Sequence, residues 1–261
     1  MKMIQFKNLF LYEFKMSIRR SGLWISFGIV CAFFLLGLNT TSGEGLMDIF
    51  SGRDMLLEAA ETVFTLHMFT PVLAGILASD RLQRDFRYNL RELQSSSPVN
   101  TWVYLLAKFL GVWSSVFIAG LTCTLVHGIV SIIVMKQPAM FLLAETAVYI
   151  VMIAPAYAFV IAFSLGCPII MPLRVYQILF TGYWPWGNLI TGKLVPSISD
   201  TLLNASGMFA LQGFFHSNRS PVGAAPHSSM EAWLNLIVIH VCIISALVTT
   251  ERSLHWQQKR M

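Results

Sequence analysis

The sequence predicts an all-α integral membrane protein, one domain over residues 1–261, with six transmembrane helices and both termini in the cytoplasm. Three observations carry that expectation. Hydrophobic residues make up 56% of the chain and charged ones 12%, at a mean hydropathy of +0.65, which leaves too little polar surface to coat a soluble globule. The apolar residues are gathered into runs comparable to the length that crosses about 30 Å of hydrocarbon. With spans placed on those runs, fourteen Lys and Arg fall on one side, and only Arg53, Lys136, Lys193 and Arg219 on the other. That is the positive-inside bias. The net charge of +5 could point to nucleic acid, but the basic residues flank apolar runs and form no groove-tracking stripe.

Residues 2–20, KMIQFKNLFLYEFKMSIRR, interleave Ile4, Phe6, Leu9, Phe10, Tyr12, Phe14 and Ile18 with five basic side chains. The pattern fits an amphipathic helix along the cytoplasmic face, and an ordinary basic flank reads the same way. No A-x-A-like site follows Leu38, so the segment reads as retained and not as a signal peptide. Residues 22–38 form the first expected span. The loop over 39–59 carries Glu44, Asp48, Asp54 and Glu58 against Arg53, which suits the outside. Residues 62–79 are the second span, with Pro71 expected to kink it.

The run 102–135 is too long for one perpendicular crossing and too short for two spans and a turn. One long helix is expected, with Lys108 snorkelling to the cytoplasmic interface. Lys136, Gln137 and Pro138 make the outer turn, and 140–163 return as the fourth span. CPIIMPLR, residues 167–174, is a tight inner turn. The fifth span, 175–192, contains Gly182, Pro185 and Gly187, which predict a broken or kinked helix. Without it the basic tail would lie outside. Residues 193–231 face outward, with short helices dipping into the outer leaflet, and 232–250 are the sixth span. Cys31, Cys123, Cys167 and Cys242 lie in or beside apolar runs without metal-ligand spacing, and read as small buried hydrophobes.

The most charged stretch is DRLQRDFRYNLRELQSSSPVNT, residues 80–101, between the second and third spans. As a helix over Asp80–Gln94 it places Leu82, Phe86, Leu90 and Leu93 on one stripe and Arg84, Arg87 and Arg91 on the next. Pro98 and the serines before it predict the stop. A short amphipathic helix between two spans is a handle for an aqueous partner. Basic residues there also suit anchoring to anionic membrane lipids, and the interleaved acids Asp80, Asp85 and Glu92 tip the reading towards protein docking.

The run from Asp80 to Gly111 resembles the signature region of the ABC type-2 permease family, membrane subunits of bacterial ATP-binding-cassette exporters. The residues that carry the likeness are Asp80 and Arg81, Arg84, Glu92 and Leu93, Ser97 and Pro98, Tyr104 to Lys108, and Gly111. Ala107 stands where glycine is common, and Gln94 where an apolar residue often sits. The resemblance implies a subunit in the bacterial cytoplasmic membrane that pairs with a second permease subunit, identical or sister. It also implies two separate ATPase subunits, which grip the charged segment as a coupling helix. Arg81, Arg84, Asp85, Arg87, Arg91 and Glu92 are then the docking candidates. ATP and Mg would belong to the partner, because the chain has no G-x-x-x-x-G-K-[ST] phosphate loop and no cofactor site is expected on it.

Ionisable residues inside apolar runs are costly and usually face an interior or a water-filled cavity. Here they are Glu61, His67, His127, Glu145 and His240, candidates for a polar translocation path. On the expected topology Glu61 and Glu145 lie near the outer boundary, with His67 roughly 9 Å deeper at 1.5 Å per residue. The competing reading makes the glutamates interfacial and each histidine neutral and bonded to a neighbouring helix. No catalytic or metal residue is expected. Ser206-Gly207 lacks the surroundings of an intramembrane protease motif, and Glu61 and His67, six apart, are poorly spaced as ligands on one helix face. Asn39, Asn204 and Asn218 begin triplets that match glycosylation acceptors. A self-sufficient secondary transporter or an intramembrane hydrolase is the alternative function. For the exporter, a peptide, a lipid or a hydrophobic drug is the expected cargo.

Overall fold

The computed structural model describes residues 2–40, 54–87, 100–190, 195–218 and 226–258, which form nine α-helices and no strand. Helix α1 (Lys2–Ile18) turns by 54° at Arg19 and Arg20 into α2 (Ser21–Thr40). Helices α3 (Met55–His67) and α4 (Thr70–Arg87) meet at 45°. The long α5 (Thr101–Val134) and α6 (Met140–Gly166) form a hairpin, and a 3₁₀ turn at Cys167–Ile169 leads to α7 (Leu173–Leu189). The short α8 (Met208–Gly213) and long α9 (Ser229–Gln258) complete the described chain.

Three stretches, Thr101–Val134, Met140–Ile169 and Ser229–Trp256, are long and apolar enough to cross a membrane, or five if each bent pair is one span. This is the architecture of a multi-pass membrane protein. The fifth expected span, 175–192, falls on α7, whose 17 residues reach about 26 Å at 1.5 Å per residue, short of the hydrocarbon thickness. Helix α6 lies at the centre, packed against α3, α4, α5 and α9, whereas α9 turns most of its apolar surface outward.

Local chemistry explains where these helices begin and break. Asn100 caps α5 by accepting from the Trp102 amide at 2.8 Å, and Asp54 caps α3 through the Leu56 amide at 3.1 Å. Residues 55–59, expected as outer loop, are therefore helical. The second expected span is two helices, not one kinked helix. The ring of Pro71 would clash with the carbonyl four residues earlier, that of His67, so the chain breaks at Met68 and Phe69. Both freed carbonyls find donors: Thr70 Oγ1 reaches His67 O at 3.0 Å, and Trp184 Nε1 reaches Met68 O at 2.9 Å.

Two more expectations change. Helix α7 runs through Pro185 without the break that was one of the two forms, broken or kinked, expected of it. Asn188 Nδ2 bonds Trp184 O within that last turn, at 3.2 Å. Helix α4 runs without interruption to Arg87, so the charged stretch begins as its last turns and not as a separate helix.

Candidate functional site

Helix α4 ends and α5 begins at one end of the bundle, and charged side chains converge there. Lys108, four residues past Tyr104 on α5, is wholly buried. Its Nζ lies 2.5 Å from Glu13 Oε1 on α1 and 2.9 Å from Asp85 Oδ2 on α4. Tyr104 donates to the same Asp85 oxygen. One cation thus joins three helices. The snorkelling expected of Lys108 does not occur, because two carboxylates meet it inside the protein. Gly111, one turn further along α5, lets α1 come close: a Cβ there would lie 2.8 Å from Glu13 Cβ and 3.0 Å from the Phe14 amide.

The docking candidates separate into distinct environments. Asp80 accepts from Arg20 Nη1 and Nη2 at 3.3 and 3.2 Å, and from Arg84 Nη2 at 3.3 Å, with both arginines half-exposed. Arg81 is only 3% exposed, and its Nε and Nη1 meet no acceptor among the described residues. It is an interior group in this structure and no part of an exposed docking surface. Asp85 is committed to Lys108. The side chain of Arg87, and all of Arg91 and Glu92, lie outside the described residues.

A second polar group surrounds the α3–α4 break. His67 Nε2 lies 2.9 Å from Thr124 Oγ1 on α5, and His67 Nδ1 lies 3.1 Å from Tyr157 OH on α6 and 3.2 Å from Thr70 Oγ1. Thr124 gives its proton to Gly120 O and Thr70 gives its own to His67 O. Both hydroxyls can then act only as acceptors towards the ring. A neutral His67 protonated at Nε2 donates to Thr124, which leaves Nδ1 as an acceptor for the Tyr157 hydroxyl, with no bond from that nitrogen to Thr70. Tyr149 tilts against the ring at 5.1 Å and donates to Phe117 O. Gly120 leaves room for both phenols, since a Cβ there would lie 2.6 Å from Tyr149 OH and 2.9 Å from Tyr157 OH.

The remaining path candidates do not share this cluster. His127 Nδ1 on α5 meets Glu145 Oε1 on α6 at 2.7 Å, with both side chains buried. His127 Nε2, Glu145 Oε2 and nearby Ser131 Oγ have no partner among the described residues. Phe34 of α2 packs edge-on to the His127 ring. Glu145 is fully buried against the neighbouring helix. Glu61 is buried and accepts from Ser217 Oγ at 2.6 Å, which ties α3 to the segment before α9. His240 is exposed on α9 and bonds its own helix at Leu236 O, so it does not join the others.

Residues 195–217 are pinned by asparagines. Asn204 Nδ2 donates to Asn188 O and Ser199 O, while Asn235 Nδ2 of α9 donates to Leu202 O and Asn204 O. Asn204 is 1% exposed, so its glycosylation triplet is out of reach of an acceptor enzyme. Ser206 Oγ donates to Asn204 Oδ1, next to Gly207 at φ 88°, a local turn leading into α8.

Sequence reasoning missed Glu13, Thr124 and Tyr157, and marked Tyr104 only within the family likeness and not as a partner of Asp85. A signal existed for the first: Glu13 is the sole acid within residues 2–20. Compared with models of known protein families, with curated proteins and with solved structures, the chain matches none.

Proposed function

We propose that the chain is the membrane-spanning subunit of an ATP-driven exporter in the bacterial cytoplasmic membrane. Six spans, α7 included, would cross with both termini inside, and α1 would lie along the inner face. A second permease subunit, identical or sister, would complete the path. Separate ATPase subunits would supply ATP and Mg and would grip the segment that follows α4. The cargo class is a peptide, a lipid or a hydrophobic drug.

The supporting observation is the buried contact of Lys108 with Glu13 and Asp85. Asp85 stands two residues before the end of α4, at the root of the charged segment. A push on that segment would reach α5 and α1 through Lys108 without passing through soft loops. Helix α5 is a lever of 34 residues, about 51 Å at 1.5 Å per residue. Its far half is locked to α6 by His127 and Glu145.

That same histidine–glutamate pair favours a second reading, a carrier driven by an ion gradient, because a buried titratable pair with unpartnered atoms suits proton relay. Sealed vesicles separate the two. Uptake that requires both an added ATPase subunit and ATP supports the exporter; uptake by this chain alone under a proton gradient overturns it.

A further inference from the structure

We propose that the cleft between α1, α4 and the start of α7 binds the phosphate headgroup of an anionic phospholipid in the inner leaflet. The proposal rests on the membrane orientation given above and not on any ATPase partner.

The cleft encloses about 850 Å³, and Lys15, Arg19, Arg20 and Arg84 line it against a single acid, Asp80. Asp80 already accepts from Arg20 and Arg84, and one carboxylate offsets one cation. Lys15 and Arg19 are exposed and have no acidic partner among the described residues. Three positive charges are therefore left without a counterion in one concave site, which focuses the field on an anion. Guanidinium groups suit a phosphate in particular, because their planar fork matches two of its oxygens. Tyr12 and Gln83 add neutral polar groups to the rim.

The surroundings favour a lipid over a soluble phosphate. Met16 and Leu173 bring apolar surface into the same cleft. The cleft thus presents cationic groups and apolar surface together. An amphiphile satisfies both at once. Trp24, whose Nε1 donates to Ile18 O at 2.7 Å, sits at the bend between α1 and α2, the headgroup level at which indoles concentrate.

The test is native mass spectrometry of the full chain, with any subunits that accompany it, released from nanodiscs of equal parts phosphatidylglycerol and phosphatidylcholine. The variant Lys15→Gln/Arg19→Gln removes the two unpaired cations, and an unchanged melting temperature verifies its fold. Wild type should retain a phosphatidylglycerol that the variant holds roughly thirtyfold more weakly, about a factor of five per basic residue. Equal retention by the two proteins, or equal retention of both lipids, overturns the proposal. Delipidated wild type titrated with inorganic phosphate should show no saturable binding, whereas saturation by phosphate alone would reassign the cleft to a soluble anion. Loss of a co-isolated protein subunit from the variant, with lipid retention unchanged, would make the cleft a protein-docking surface and overturn the lipid assignment. Failure to find any ATPase leaves the lipid comparison readable.

Discussion

Lys108 Nζ lies 2.5 Å from Glu13 Oε1, an ion pair between α5 and α1 in which the lysine is wholly buried. A buried ammonium is tolerated only when its charge is compensated locally. Asp85 shares the lysine, so one buried cation is held between two carboxylates.

Replacing Lys108 with Met leaves the buried Glu13 and the partly exposed Asp85 without their cation. The cost is about 3–5 kcal/mol, read as a lowered melting temperature in detergent. The triple variant Lys108→Met/Glu13→Gln/Asp85→Asn removes all three charges together and should recover most of that loss. Gly111→Ala reaches the same contact by another route, pushing α1 away at a cost of about 1–3 kcal/mol. Combined with Lys108→Met it should cost less than the sum of the two. Strict additivity would show that Gly111 and Lys108 do not act on one interface.

His67→Ala strips a partner from the buried hydroxyls of Thr124 and Tyr157 and should destabilise the protein by about 2–4 kcal/mol. His67→Gln, which keeps a donor and an acceptor, should recover part of it. Equal melting temperatures for the alanine and glutamine variants would contradict a hydrogen-bonding role.

The long helices were legible because nothing competes with their apolar runs. Expected bounds of 102–135 and 140–163 stand beside Thr101–Val134 and Met140–Gly166. The effect of Pro71 was legible in kind and underestimated in degree: a kink was expected, and a full break forms because Thr70 and Trp184 satisfy the freed carbonyls. Lys108 was misread because its partners stand 95 and 23 positions away, and no local pattern pairs them. His127 and Glu145 were both marked as unusual, but only the α5–α6 hairpin puts them in contact. His240 carried the same sequence signal and faces outward, because burial depends on which side of α9 the bundle covers.

Arg84→Glu with Arg87→Glu reverses two charges at the end of α4. Transport should fall to background while membrane insertion is unchanged, measured by vesicle uptake against protease protection. Full activity in the double variant would remove this end of α4 from the docking surface.

His227, in the segment between α8 and α9, stacks on Phe209 with ring centroids 3.6 Å apart. Burial holds its pKa below the usual histidine range, so the folded state favours the neutral ring. The sign follows: the unfolded chain takes up this proton first as pH drops through about 6.5, so stability is complete above that pH and declines below it. His227→Gln should flatten that part of the stability–pH curve. An unchanged slope would place the acid sensitivity elsewhere.

The most direct measurement is gentle isolation of the protein from its native membrane, followed by mass spectrometry of what stays bound. The exporter reading predicts a stoichiometric ATPase subunit, together with a second permease chain or a second copy of this one. Recovery of the chain alone, with no stimulation of candidate ATPase subunits in lipid, would contradict it.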